Sequence, residues 1–483
     1  MNIVLVVFDS LRKDCLGAYG APPWGKVHTP SLDAFAREAM TFTRVYGEAL
    51  PTLPARRALY TGRRVFPFRD GDCNLKGDFH GSAGWGPIPE DQDTLAELLR
   101  TQKRSTHDSL PEDQSGYRTA LISDVYHMFK PSKNFWRGFD QWMFLRGKET
   151  DTYRSGPEPT QAQIDHWLAP ELQVKFPSEV TFIRQCLKNM YGRDKEEDYF
   201  VARVMTEASR WLEQNRDASR FFLVVESFDP HEPWFVPEHY RRMYDDSDGQ
   251  EQVVSPYDSA DKLPPHLLRR AQANYSGMVT MCDRWFGYFM DTLRVQGLLD
   301  DTLIIVTSDH GHSLGDGNYI GKHAFLSHSE VHDIVLMVRH PQGIGAGRRC
   351  DFFLQHTDIS AQILQFAGVR SKTPIDGMPF WQAATGGGQP LRDHVTVGWG
   401  PSITVIDDHW WLDCKANGQG VFLYDLASPR PFASNVADKH PADVHRLFHL
   451  ALNDAGGSFP EYLLSMAANS WTPPGCSDLV ALE

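Results

Sequence analysis

The chain has 483 residues, with 48 Lys plus Arg against 62 Asp plus Glu, a formal net charge of −14. That balance excludes non-specific binding to nucleic acid or to an anionic membrane, because counterion release needs a basic face; an anionic ligand must be drawn by a local cluster. At 41% hydrophobic and 23% charged residues the composition is that of a globular protein able to bury a large core.

No stretch approaches the roughly 18 apolar residues of a membrane span, and residues 2–8 run into Asp9 without a basic leader. Seven scattered cysteines, Cys15, Cys73, Cys186, Cys282, Cys350, Cys414 and Cys476, form no C-x-x-C pair. They read as buried thiols in a reducing, cytoplasmic compartment.

In chain order, Ile3 to Phe8 is apolar without alternation, as in a strand buried on both faces of a parallel sheet. Helical spacing follows at Ser31 to Ala39 and Thr94 to Arg100, a strand at Thr119 to Ile122, and a helix at Tyr199 to Gln214. Then come a strand at Phe221 to Val225, a helix at Leu267 to Val295, and strands at Leu303 to Val306 and Ile334 to Val338. Strand alternating with helix predicts a large, mostly parallel mixed α/β sheet flanked by helices. Three segments, Lys103 to Ser115, Gly147 to Ser178 and Tyr240 to Pro265, interrupt it and read as surface loops, either decoration or walls of a binding site.

After the Gly-rich Thr385 to Gln389 the runs shorten: Val395 to Val397, Ile403 to Ile406, Trp410 to Leu412 and Val421 to Tyr424, then helical spacing over Asp438 to Leu452. This predicts a small antiparallel sheet with one helix. The expected division is a large catalytic domain over 1–385 and a small α+β subdomain over 386–483. Trp399, Trp410 and Trp411 are expected to pack that small sheet. The i, i+4 pairs His328/His332 and His445/His449 are expected at the surface.

Ligands of open parallel sheets bind beyond the carboxyl ends of the strands, and those ends are ionisable here. Asp9 follows the first strand, Asp124 and His127 the second, Asp229 and His231 the third, and Asp309 and His310 the fourth. Like charges brought together need a cation, so Asp9, Asp309 and His310 make a candidate site for one divalent metal, Mn, Zn or Ca. The second feature is Thr52-Leu53-Pro54-Ala55-Arg56-Arg57 through Gly62. Pro54 suits a helix's first turn and Gly62 its end, which puts Thr52 at the N-terminus, where free N–H groups favour an anion. Arg56 and Arg57 sit at the wrong end for cations, so something negative should compensate them.

These landmarks, in order, resemble the sulfatase family of the alkaline phosphatase superfamily. They are Asp9-Ser10-Leu11-Arg12, His28-Thr29-Pro30-Ser31-Leu32-Asp33, the Thr52 to Gly62 element, and Asn134-Phe135-Trp136-Arg137-Gly138-Phe139-Asp140. Next come Asp229-Pro230-His231-Glu232-Pro233, Ser308-Asp309-His310-Gly311-His312 through Asp316, Lys322, Asp376-Gly377, Leu423-Tyr424-Asp425-Leu426 and Asn435. The resemblance implies an alkaline phosphatase-like fold, with Asp9, Asp309, His310 and Thr52 at the metal and Thr52 as nucleophile. It further implies Arg56 as the nucleophile's support, and His231, Lys322 and His127 as groups that hold the ester oxygens or protonate the leaving group. Asn74 and Asp124 are candidate substrate contacts.

Two departures matter. Where the family has a Cys or Ser that becomes formylglycine, this chain has Thr52, so no formylglycine is expected; where a second aspartate is usual, it has Ser10. Threonine is the nucleophile in related branches acting on phosphate diesters. Asp229 is followed by Pro233 where a second metal would need His, so one metal is expected. The preferred reading is a metal-dependent hydrolase of phosphate diesters or phosphonate monoesters working through Thr52. The alternatives are a sulfuric ester hydrolase using unmodified Thr and a non-catalytic binding protein. The expected ligand is a small anionic ester, without nucleic acid or membrane, and a homo-oligomer is left open.

Overall fold

In the computed structural model, which describes residues 1–69, 83–100, 116–131, 133–218 and 220–479, the apolar runs assemble into one eight-stranded sheet. Its strands are β1 (Asn2–Phe8), β2 (Met40–Tyr46), β3 (Arg118–Ser123), β4 (Gln141–Phe144), β5 (Phe221–Ser227), β6 (Thr302–Ser308), β7 (Leu336–Arg339) and β8 (Arg349–Gln355). Across the sheet the order is β8-β2-β7-β6-β1-β5-β3-β4. β7 runs antiparallel to both neighbours; the other pairings are parallel.

The absence of alternation in β1 has a plain cause. Val4, Val6 and Phe8 enter one core while Ile3, Leu5 and Val7 enter another on the opposite face, so both faces demand apolar side chains. One face is covered by helices α1 (Pro30–Glu38), α3 (Phe200–Asn215) and α4 (Pro265–Val295), the other by α2 (Thr52–Thr61) and α5 (His356–Ala367).

The small sheet comprises β9 (Val395–Trp399), β10 (Ser402–Ile406), β11 (Trp410–Lys415) and β12 (Phe422–Asp425), all antiparallel. α6 (Pro441–Asp454) packs on it as expected, and a further helix, Glu461–Asn469, joins the same core. That core also takes in Ala49, Ala58, Val65, Phe66 and Phe68. The small sheet is therefore built against the element that carries Thr52. Trp411 packs in it as expected, its indole N–H donating to Asp413 (2.9 Å).

Three expectations change. Neither Gly147 to Ser178 nor Tyr240 to Pro265 is a surface loop throughout: in the first Lys148, Glu149 and Asp151 are buried and helices Gln161–Trp167 and Pro170–Lys175 follow, and in the second Tyr240, Val253, Val254 and Leu263 enter the core. His328 and His332 are not at the surface but buried under the small sheet, where aromatic rings enclose them. His445 is half-buried and His449 exposed. Lys103 to Ser115 and Cys73 lie outside the described residues. Among the described residues no helix is long and apolar enough to cross a membrane, and all the described cysteines are free thiols.

Candidate active site

Thr52 is the first residue of α2, after Pro51 at the N-cap, and the whole helix is buried. The approach to it is pinned by the small sheet: the Leu50 amide donates to the Gly398 carbonyl (2.8 Å) and the Gly398 amide to Glu48 (3.0 Å). One turn on, Arg56 turns back. Its Nη1 donates to the Thr52 carbonyl (3.2 Å), Asp9 Oδ2 (2.9 Å) and Asp309 Oδ2 (2.6 Å), and its Nε to Glu226 Oε2 (2.9 Å). This is the negative compensation the helix start required. Burial works against the guanidinium, yet Glu226, Asp309 and Asp9 outweigh it and hold its pKa well above the ordinary value. Burial pushes the Glu226 carboxyl up and Arg56 restrains it, while the Tyr60 hydroxyl donates to Glu226 Oε1 (3.0 Å).

Asp9, at the end of β1, and Asp309 and His310, after the adjacent β6, bring one ligand atom each within 4.8 Å of one another. The His310 Nδ1–H donates to the Gly311 carbonyl (2.8 Å), which leaves Nε2 with its lone pair free to ligate. That same Nε2 is 3.4 Å from Thr52 Oγ1. Burial, then Lys322, keeps His310 neutral by lowering its pKa well below the usual imidazole value. The three carboxylates Asp9, Asp309 and Glu226 exceed the one guanidinium among them by two charges. A divalent cation fits both the donor set and this charge deficit. Ser10, at φ 58, closes the loop with its amide on Asp309 Oδ1 (3.0 Å) and its hydroxyl on Asp9 Oδ1 (2.9 Å).

A second group of side chains surrounds His231. The Lys322 ammonium is 2.7 Å from His231 Nε2 and 3.4 Å from Ser10 Oγ, which links the group to the Asp9 loop. His231 Nδ1 faces the Glu232 carbonyl (2.7 Å), Glu149 Oε1 (3.1 Å) and Glu232 Oε2 (3.3 Å). The other Glu149 oxygen lies 3.5 Å from His127 Nε2. Burial raises the Glu149 pKa and lowers that of His127 well below the ordinary value. Glu232 Oε1 accepts from the Tyr257 hydroxyl (2.7 Å), and His312 lies 3.5 Å from Oε2.

Behind His231, the Lys148 ammonium pairs with Asp229 Oδ1, and Asp229 Oδ2 accepts from the Val201 amide (3.0 Å). A lysine thus supplies positive charge beside Asp229. Asp124 accepts from the Phe228 amide (2.6 Å). Burial, with Asp229 adding to it, pushes Asp124 up to about 7.

The structure therefore gathers Asp9, Thr52, Arg56, Asp309 and His310 in one cluster, and joins Lys322, His231 and His127 to it through Ser10 and Glu149. Asp124 sits in the adjoining layer with Asp229, and Asn74 lies outside the described residues. Sequence reasoning missed Glu226 and Glu149. Glu226 had a signal, a charge directly continuing the apolar run Phe221 to Val225 of a strand buried on both faces, where it must find a partner. Glu149 had none, because it stands in a loop with no periodicity.

A family model described as Sulfatase matches residues 1–369. The multifunctional alkaline phosphatase superfamily protein PehA of Trinickia caryophylli is 26% identical over 429 residues, 78% of this chain and 76% of its own. An arylsulfatase of Clostridium perfringens is 24% identical over 427 residues, 82% and 80% of the two chains. The crystal structure of a phosphonate monoester hydrolase of Agrobacterium radiobacter superposes with a TM-score of 0.69 at 23% identity, covering 96% of this chain and 97% of that one. Sulfatase-family proteins use a divalent metal, for which Asp9, Asp309 and His310 are a possible ligand cluster. With the family match running from the first strand through α5, the chain belongs to the sulfatase family and is an ester hydrolase.

Proposed function

We propose that this protein hydrolyses phosphate diesters or phosphonate monoesters by double displacement through Thr52. The observation that carries the reading is the threonine hydroxyl at a helix start, 3.4 Å from the His310 Nε2 that would ligate a cation. A divalent cation held by Asp9, Asp309 and His310 would act as a Lewis acid and lower the pKa of the Thr52 hydroxyl. Arg56 fixes the first turn of α2 and the two aspartates together. Lys322 and the free amides of the helix start meet the charge on the equatorial oxygens, which is most of what a protein contributes to phosphoryl transfer. His231 protonates the departing alcohol, and water then attacks the phosphorus of the phosphothreonine. Threonine cannot form the aldehyde hydrate that expels sulfate, whereas a phosphothreonine is open to direct hydrolysis. PehA and the phosphonate monoester hydrolase neighbours support this reading. The arylsulfatase relative favours a second one, sulfate ester hydrolysis by unmodified Thr52.

Parallel assays of the purified, metal-supplemented protein on an aryl phosphonate, a phosphate diester and an aryl sulfate decide between them. The expected order places the phosphorus esters first, and a reproducible preference for sulfate overturns it. Thr52→Ala should lower turnover by roughly 10³-fold or more with unchanged circular dichroism. Unchanged turnover in that variant removes the covalent step, and metal binding without turnover of any ester by the wild type makes the protein a binding module.

A further inference from the structure

We propose that Glu149 is a positioning residue for proton delivery to the leaving alcohol, holding His231 by one carboxylate oxygen and His127 by the other. This rests on the ester hydrolysis proposed above and adds to it a residue outside the landmark motifs.

The backbone is built to aim this one side chain. Glu149 stands at φ 46, a left-handed conformation unfavourable for a glutamate, and is buried; such strain persists where the surroundings impose it. Both flanks are tied down. Lys148 pairs with Asp229, and Asp151 Oδ2 accepts from the Gly147 amide (2.9 Å). The Glu149 carbonyl itself accepts from Asn189 Nδ2 (3.1 Å).

The groups around His231, Glu149 among them, settle which of its nitrogens does the work. Around Nδ1 stand the Glu232 carbonyl, Glu149 Oε1 and Glu232 Oε2, all acceptors, so Nδ1 carries a proton in either charge state. Nε2 faces the Lys322 ammonium at 2.7 Å, from which it accepts, and is the ring nitrogen whose proton can change. The acceptors at Nδ1 fix the ring so that Nε2 is the nitrogen that exchanges the proton, the role an orienting carboxylate plays for a catalytic histidine elsewhere.

In the first displacement the Thr52 Oγ–P bond forms and the P–O bond to the alcohol breaks. The alcohol oxygen takes the proton from His231 Nε2, and the Thr52 hydroxyl proton passes to solvent. In the second, the water oxygen bonds to phosphorus and the Oγ–P bond breaks. His231 Nε2 receives one water proton, and Thr52 Oγ takes one back from solvent.

The test is a leaving-group series: 4-nitrophenyl, phenyl and benzyl esters of phenylphosphonate with wild type, Glu149→Gln and Glu149→Asp, each metal-supplemented. A good leaving group needs no proton and a poor one does. Glu149→Gln should therefore lose less than about threefold in kcat/KM on the nitrophenyl ester and about 10²-fold or more on the benzyl ester, the range of general acid catalysis. In a His231→Asn background the same change should add almost nothing. A loss equal across the series, or one that multiplies with His231→Asn, makes Glu149 merely structural and overturns the proposal. If Glu149→Gln fails to fold, Glu149→Asp, which cannot span both imidazoles, must show the same steepened dependence or the proposal falls. A wild type inert toward all three esters overturns the underlying reading and this proposal with it; an active wild type with a flat variant series overturns the positioning role alone.

Discussion

Arg56 is wholly buried, with Asp9, Asp309 and Glu226 all on its guanidinium. No lysine could replace it, because a point charge cannot bond carboxylates on separate strands through a planar fork. Removing one partner of a buried ion pair strands the others at a cost of about 3–5 kcal/mol. Here the stranded groups are three carboxylates, two of them in the candidate metal cluster. Arg56→Gln should therefore lose stability of that order and transfer the burden of neutralisation to a bound cation. The difference in Tm between metal-supplemented and chelator-treated protein should be larger in Arg56→Gln than in wild type. An unchanged difference would show that the guanidinium does not share the charge of this cluster. The need for an acid opposite Arg56 was readable from its place in a helix's first turns; that Glu226 joins Asp9 and Asp309 there was not, because the three come from separate strands.

At the scale of elements, α2 is held at both ends, its start by Gly398 and its end by a loop from beyond α5. Gly62 ends the helix at φ 66, and its carbonyl accepts from the amides of Asp376 (2.9 Å) and Gly377 (3.1 Å). A Cβ on Gly377 would meet the Thr357 carbonyl oxygen at 1.9 Å, a clash with main chain that no side-chain rotation relieves. Gly377→Ala must displace α5 or α2, at a cost of about 1–3 kcal/mol or more. It should lower turnover as Thr52 shifts from His310, whereas Gly386→Ala, with nothing within 4 Å, should change stability by less than about 0.5 kcal/mol. Urea titration and turnover of both variants check this; an unperturbed Gly377→Ala would mean the clamp is not rigid. The sequence marked Asp376-Gly377 without showing what it clamps. The same boundary applied to strands. β1, β5 and β6 were legible because both faces are apolar. β2, β4 and β8 were not: Arg44 and Asp351 interrupt β2 and β8, and β4 is an edge strand with an exposed face. Such strands lose the continuous run that announces a buried one. Strand direction has no local signal either, so the reversal of β7 appears only in the assembled sheet.

Across the whole molecule, the catalytic body and the small sheet meet at a seam of buried histidines. The His332 carbonyl accepts from the Gly47 amide (3.2 Å), on the approach to Thr52, while its ring lies 3.4 Å from Thr404 and against Trp411. His328 stacks on Phe432 and lies 3.9 Å from Asp413. Burial lowers the pKa of His332 to about 4 and that of His328 to about 3, and raises Asp413 to about 7. Free histidine titrates near 6.5, so on acidification the unfolded chain takes up the proton first. The stability contributed by neutral His332 is whole above pH 6.5 and is lost as pH falls through 4, on the order of 3 kcal/mol in all. Asp413 has the opposite sign. Its folded value lies above the unfolded one, so its contribution is complete below about 4 and is lost as pH rises through about 7. The wild-type profile sums both, and single variants separate them. The stability advantage of wild type over His332→Gln, from urea unfolding between pH 7.5 and 4, should shrink as pH falls, whereas its advantage over Asp413→Asn should grow. A pH-independent difference for His332→Gln would mean that this imidazole already finds a proton in the folded seam, and that the seam is wetter than its packing shows.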